Sequence, residues 1–176
     1  MRATELLMEE HRGIERMLDV VEELGRRMAA GQAVEPGDPE RALGFLSGFA
    51  DKCHHAKEEG QLFPALVAAG LSQEGGPVGV MLAEHVQGRG HIAAMREALQ
   101  AGDGGAFAGA AHAYVALLRQ HIQKEDQILY PMAEARLQAQ DAALVAAYDA
   151  LEKEVTGPGG HEAYHRLLEE LVERYL

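Results

Sequence analysis

The chain has 176 residues, a length that fits one compact domain around a single core. Its formal net charge of −12 argues against a surface that binds nucleic acid or an anionic membrane, because such surfaces carry a basic patch. Cys53 is the only cysteine, so the chain has neither an internal disulfide framework nor a thiolate metal site. Alternating strand patterns are missing and Ala, Leu, Glu, Arg and Gln are frequent, which predicts an all-α fold.

Hydrophobic periodicity and helix-breaking residues predict six helices. Their approximate bounds are Thr4–Ala30, Pro39–Leu66, Pro77–Leu99, Ala106–Met132, Gln140–Val155 and 160–176. Thr4 is the predicted N-cap of the first helix. Pro64 lacks an amide donor, so we expect the second helix to kink or end there.

The first ten residues are charged, without the apolar segment of a signal peptide. No apolar run approaches the length needed to cross a membrane. We therefore expect a cytoplasmic protein without a membrane partner.

Two segments of the chain repeat one pattern of polar and apolar residues. They are residues 54–64, HHAKEEGQLFP, and residues 121–131, HIQKEDQILYP. In the first, His54 precedes Glu58 by four residues, and in the second His121 precedes Glu125 by the same spacing. Residues four apart share a helix face, so each segment aims an imidazole and a carboxylate at one point. The pattern predicts a site for a pair of metal ions.

Two further histidines occupy apolar faces of predicted helices. His11 lies in a stripe with Leu7 and Ile14 on the first helix, and His85 lies among aliphatic residues of the third. Taken alone, each could be a hydrogen-bonded core histidine. Four helices that each point a histidine inward, two of them with a glutamate, indicate metal binding instead, since a buried unpaired carboxylate is costly.

The repeat between the second and fourth helices predicts an antiparallel up-down four-helix bundle with approximate twofold symmetry, in which facing helices build the site. We place this bundle and its di-metal site in residues 1–135. The last two predicted helices carry apolar stripes without an inward ligand pair. Residues 136–176 are therefore predicted to be a helical extension that packs on the bundle or forms a subunit interface in a homo-oligomer.

The candidate metal ligands are five histidines and two glutamates: His11, His54, His55, Glu58, His85, His121 and Glu125. Nitrogen and carboxylate ligands without thiolate suit Fe, Mn, Zn or Co. Seven ligands exceed the four of a single zinc ion. Two six-coordinate ions that share two carboxylates and one oxo or hydroxo bridge have six terminal positions. Five histidines would leave one of them for a small molecule such as dioxygen. This count needs His55, which on an α-helix points about 100° away from His54.

These motifs resemble the hemerythrin family, specifically its bacterial HHE cation-binding domain, over residues 1–135. The segments that carry the resemblance are Glu10-His11, residues 54–64, residues 84–89 (EHVQGR) and residues 121–131. The resemblance implies a four-helix bundle around two non-haem iron ions, other divalent metals being alternatives. It also implies that the protein binds dioxygen or responds to oxygen, peroxide, nitric oxide or iron.

The resemblance further implies a role for each ligand. His54 and His121 would be terminal ligands of the two ions, as would His11 and His85, while Glu58 and Glu125 would bridge them. Oxygen-carrying members have a second histidine four residues after the one on the third helix. This chain has Arg89 there, which argues against simple oxygen carriage. Some members use the residue after the first motif histidine, which here is His55.

Several functions share such a site. The leading hypothesis is a non-enzymatic di-iron protein that binds or senses dioxygen or a related oxidant. The alternatives are a di-iron peroxidase, oxidase or nitric-oxide-handling enzyme, and a protein of iron storage or sequestration.

The remaining polar residues receive simpler interpretations. Glu59 and Asp126 are expected on the solvent side or as partners of the ligands, and Lys57 and Lys124 are expected in solvent. His161 and His165 are interpreted as chance occurrences. Cys53 is expected to be a buried small residue.

Overall fold

The computed structural model describes residues 1–176, which form six helices and no strands. The bounds are Ala3–Ala29 for α1, residues 38–68 for α2, Pro77–Ala101 for α3, residues 104–136 for α4, Asp141–Thr156 for α5 and Gly160–Tyr175 for α6. A short 3-10 turn, Gln138–Gln140, precedes α5. The predicted all-α class and the number of helices are confirmed. None of the helices is both long and apolar enough to cross a membrane.

Helices α2 and α4 contain π-helical segments, in which i→i+5 hydrogen bonds widen the turn. In α2 these are Leu46–His55 and Glu58–Leu62, and in α4 the segment is Glu125–Leu129. Pro64 does not end α2. It is the second residue of the α-helical segment Phe63–Ala68, directly after the π-helical segment Glu58–Leu62, so the change of helix type falls at the proline.

The helix ends follow local capping chemistry. Thr4 is not the N-cap of α1, because the helix begins one residue earlier, after Arg2. The Arg2 amide donates to Glu5 Oε2 at 2.7 Å and caps the first turn. Between α3 and α4 the chain turns at Gly102, whose φ of 66° favours glycine. Asp103 then caps α4 by accepting a hydrogen bond from the Ala106 amide at 2.9 Å.

The first four helices contact one another in a closed ring: α1 packs on α4, α4 on α3, α3 on α2, and α2 on α1. Helices α5 and α6 pack against α1 and α2. Both contribute buried side chains to the core, including Tyr148 from α5 and Leu171 from α6. The apolar faces of the last two helices are therefore used within the chain.

The core consists of two apolar clusters on either side of a polar layer. On α1, Leu7 belongs to one cluster and Ile14 to the other, and His11 lies between them. On α3, His85 lies between Met81 of one cluster and Ile92 of the other. The polar candidates are thus held in the middle of the fold, where water is excluded.

Candidate metal centre

All seven candidate ligands are buried, and the structure brings them together in this layer. The exposed fraction of their side chains is 7% at most, for His55, and zero for Glu58 and Glu125. They fall into two groups whose ligand atoms lie within 4.8 Å of one another. The first group is His11, His54, Glu58 and Glu125, and the second is His55, Glu58, His85 and His121. Glu58 belongs to both groups.

The inner nitrogens approach the two carboxylates closely. Glu125 Oε2 lies 3.1 Å from His11 Nε2, and Glu125 Oε1 lies 3.2 Å from His121 Nε2. Glu58 Oε2 lies 3.3 Å from His85 Nε2, and Glu58 Oε1 lies 3.8 Å from His54 Nε2. Each glutamate therefore faces two histidines from different helices.

Several of these close atoms nevertheless lack a hydrogen-bond partner. Both oxygens of Glu125, Glu58 Oε2 and His54 Nε2 are buried without one, because the neighbouring groups are near but not aligned for hydrogen bonding. An unsatisfied buried polar atom costs about 1–3 kcal/mol. Four such atoms at one point are explained by a cation that accepts their lone pairs, so the residues present fit a metal site.

Each of the five histidines is held through its other nitrogen by a carboxylate. The distance from Nδ1 to the nearest carboxylate oxygen is 2.7 Å in three pairs: His11–Asp126, His54–Glu10 and His85–Glu59. It is 3.0 Å for His121–Glu84 and 3.3 Å for His55–Asp51. A carboxylate on Nδ1 fixes the ring and leaves Nε2 for a metal, the arrangement seen at most histidine metal ligands. Glu59 and Asp126 are therefore partners of the ligands, one of the two roles expected of them.

Cationic side chains back these carboxylates in turn. Arg89 donates to Asp51 at 2.9 Å and to Glu59 at 2.8 Å, so it supports the partners of His55 and His85. Arg89, four residues after His85, thus contacts the carboxylates that hold the histidines. Arg12 pairs with Asp126 in the same way.

The expectation that both motif lysines lie in solvent is wrong for Lys57. Lys57 is 3% exposed and pairs with Glu10 and, at 2.8 Å, with Glu152 of α5, because the C-terminal helices cover this side. Lys124 occupies the equivalent position in the repeat and pairs with Glu84, but 38% of its side chain is exposed.

The π-helical course of α2 accounts for the inward position of both His54 and His55, the last two residues of the segment Leu46–His55. The ring of His55 stacks on His85, with centroids 3.9 Å apart and an interplanar angle of 17°. The wider turn makes the angle between adjacent side chains somewhat smaller than in an α-helix, and the contacts of His55 with Asp51 and His85 orient its ring in the layer.

Burial and charge shift the pKa values of the site in opposite directions. Burial alone would lower the pKa of His11, but its hydrogen bond to Asp126 and the adjacent Glu125 carboxylate raise it to about 9. The pKa of His121 rises to about 10 despite burial, chiefly through the negative charge of Glu125. Burial lowers the pKa of His55 well below its ordinary value, because Asp51 compensates only in part. The metal-free site therefore holds charged and neutral imidazoles side by side.

Tyr130 is a polar group at the centre that sequence reasoning missed. Its hydroxyl donates to Glu58 Oε1 at 2.6 Å and lies 3.3 Å from His11 Nε2, and its ring stacks on His11. Its only signal in the sequence is its place in the repeat, where Tyr130 is equivalent to Phe63 of the first segment. Cys53, in contrast, is fully buried as expected, and burial raises its pKa to about 11.

The helical fold and its buried histidines and glutamates define a cation-binding protein. Comparison with known families agrees: the model of the hemerythrin HHE cation-binding domain matches residues 2–133. The chain belongs to this family, as its motifs suggested. Comparisons with curated proteins and with solved structures give no match.

Proposed function

We propose that the chain is a non-haem di-iron protein that binds or senses dioxygen or a related small oxidant. Residues 1–135 then form the up-down four-helix bundle of the family, with residues 136–176 as an extension, and act in the cytoplasm. The observation that carries the proposal is the double role of Glu58, which lies in both ligand groups. A carboxylate shared between two sets of histidines suits two adjacent cations better than one.

In this proposal the ligands divide between two metal positions in the same way as between the two groups. His55, His85 and His121 would hold one ion, and His11 and His54 the other. Glu58 and Glu125 would lie between the ions, since each approaches histidines of both groups. Imidazole with carboxylate suits iron, and two iron ions together supply reversible electron transfer to a small oxidant.

One of the two metal positions would leave a coordination place where an oxidant would bind. The position with two histidines has fewer protein ligands than the position with three, so it has room for a small molecule. The Tyr130 hydroxyl lies beside it, 3.3 Å from His11 Nε2; its proton is donated to Glu58 Oε1, so it offers an oxygen acceptor there. The surrounding apolar clusters exclude bulk water, which strengthens such polar contacts.

Metal analysis of the purified protein tests this proposal. We expect two iron ions per chain, and a visible spectrum that changes on anaerobic reduction and returns in air. Glu58→Ala and Glu125→Ala should lose the two-ion site, because each removes a ligand that serves both positions and leaves the cations less neutralised. Glu97→Ala, which changes an exposed glutamate of α3, is the control. A single tetrahedral zinc ion per chain would refute the proposal.

The alternative functions make different predictions on the same protein. A peroxidase, oxidase or nitric-oxide-handling enzyme should turn over its oxidant repeatedly with a reductant. A storage protein should take up many more than two iron ions per chain. A binding or sensing protein should do neither.

A further inference from the structure

Outside the centre, α6 carries a second group of imidazoles. His161 and His165 lie one helical turn apart, and their Nε2 atoms are 2.8 Å from each other. The ring centroids are 4.5 Å apart. In the sequence these histidines have the pattern of chance occurrences, but in the structure both rings point at one place.

The separation of the two nitrogens is close to that of two ligands on one ion. Imidazole nitrogens bound at about 2.0–2.1 Å, at angles between about 90° and 110°, lie roughly 2.8–3.4 Å apart. The observed 2.8 Å is at the lower end of this range. Without an ion, one ring would instead donate an N–H···N hydrogen bond to the other.

The Nδ1 atom of His161 faces a carboxylate. It lies 2.7 Å from Glu152 Oε1 without forming a hydrogen bond, and its Nε2 is the nitrogen that faces His165. All five inner histidines likewise have Nδ1 against a carboxylate, which leaves Nε2 for a metal.

The charge around the pair favours a cation. Both histidines line a cavity of about 670 Å³ between α1, α2, α5 and α6. Its charged lining is four carboxylates, from Glu9, Glu10, Asp149 and Glu152, and one lysine, Lys57. A concave surface with an excess of negative charge raises the local concentration of cations.

We propose that His161 and His165 form an outer binding site for a divalent transition-metal ion of the kind that prefers imidazole, such as Zn²⁺ or Co²⁺. Two protein nitrogens hold the ion and water completes its coordination, so binding is weaker and more readily exchanged than at the seven-ligand centre. The site is distinct from the inner centre and does not depend on the proposed di-iron function.

Equilibrium dialysis of the full-length, iron-loaded protein against Zn²⁺ and Co²⁺ tests the proposal. We expect one additional, weakly bound ion per chain in the wild type. His161→Ala and His165→Ala should each lose it, since a single imidazole is left. Alanine is a strong helix former and these histidines lie near the surface, so α6 should stay folded, which circular dichroism checks. His112→Ala, a change of an exposed histidine on α4, should keep the additional ion.

Failure of the inner centre and failure of the outer site are distinguishable. The additional ion should persist in Glu58→Ala even when the inner ions are lost, because Glu58 is not part of the cavity lining. Equal uptake of Zn²⁺ and Co²⁺ by the wild type and the double variant His161→Ala/His165→Ala would overturn the proposal.

Discussion

At the scale of single residues, the hydroxyl of Tyr130 is the feature whose removal is most informative. It donates to Glu58 at 2.6 Å inside a dry layer. A hydrogen bond to a charged group contributes roughly 1.5–3 kcal/mol. Tyr130→Phe should therefore lower the free energy of unfolding of the metal-free protein by about that amount, measured by urea denaturation at pH 7.

Tyr148 provides the matched control for that measurement. Its hydroxyl is buried as well, but it has no hydrogen-bond partner. Tyr148→Phe removes an unsatisfied group and should leave the free energy of unfolding unchanged or slightly raised. If both variants lose the same stability, the Tyr130–Glu58 hydrogen bond is not the cause.

The histidine pKa values give a second prediction at this scale. His11 and His121 have pKa values of about 9 and 10, above the ordinary 6.5, so their protonated forms stabilise the metal-free fold. That stabilisation is complete below pH 6.5 and is lost as pH rises through 9 and 10. The free energy of unfolding of the metal-free protein should fall across this window.

Metal binding should show the opposite trend, because an imidazole must lose its proton to bind a metal. The affinity for iron or zinc should rise between pH 6.5 and 10, with protons released on binding. An ordinary histidine pKa would place this change near pH 6.5, so the pairing with carboxylates moves it upward. Denaturation and proton-release titrations at several pH values measure both trends, and a flat stability of the metal-free protein above pH 7 would contradict the first.

The ligands could be predicted from the sequence because their signal is local. A histidine and a glutamate four residues apart, twice, can be read directly from the chain. Apart from Asp51, four residues before His55, the carboxylates that hold the histidines have no such local signal; Glu84, for example, serves His121 on another helix, 37 residues away in sequence. The sequence suggests a partner role only for Glu59 and Asp126, because each follows a ligand glutamate.

At the scale of elements, His55 is the last residue of a π-helical segment of α2, and its role as a metal ligand can be tested by substitution. His55→Ala should keep two metal ions, because His85, His121 and Glu58 still hold that position. It should open a further coordination place and so change the visible spectrum and the autoxidation rate of the iron-loaded protein. His91→Ala on α3 is the control, and a His55→Ala protein indistinguishable from the wild type would exclude His55 as a ligand.

The same helix shows what hydrophobic periodicity can and cannot predict. The predicted start of α2 at Pro39 is within one residue of the observed start at Asp38, because a proline near the first turn is a strong local signal. The change from α to π geometry has no such signal in a single sequence. The predicted angle of 100° between His54 and His55 was therefore based on the wrong helix type.

At the scale of the whole molecule, the C-terminal helices make the two halves of the repeat unequal. They cover the side of α1 and α2, and Glu152 of α5 reaches Lys57 there. The family match ends at residue 133, before α5 begins. The equivalent Lys124 has no such cover and stays partly exposed. Two residues in matching positions of the repeat thus have different electrostatic surroundings.

This difference predicts unequal effects of one substitution in the two halves. Lys57→Met keeps the apolar stem but leaves Glu10 and Glu152 without their cation on the covered side. Removal of one partner from a buried ion pair costs roughly 3–5 kcal/mol. Lys124→Met removes a partly exposed pair with Glu84, which contributes about 0–1 kcal/mol. Urea denaturation of the two metal-free variants should therefore separate them by a few kcal/mol. Equal losses of stability would mean that the C-terminal helices do not change the environment of Lys57. A larger loss for Lys124→Met would mean that the ion pair of Lys124, not that of Lys57, contributes more to stability.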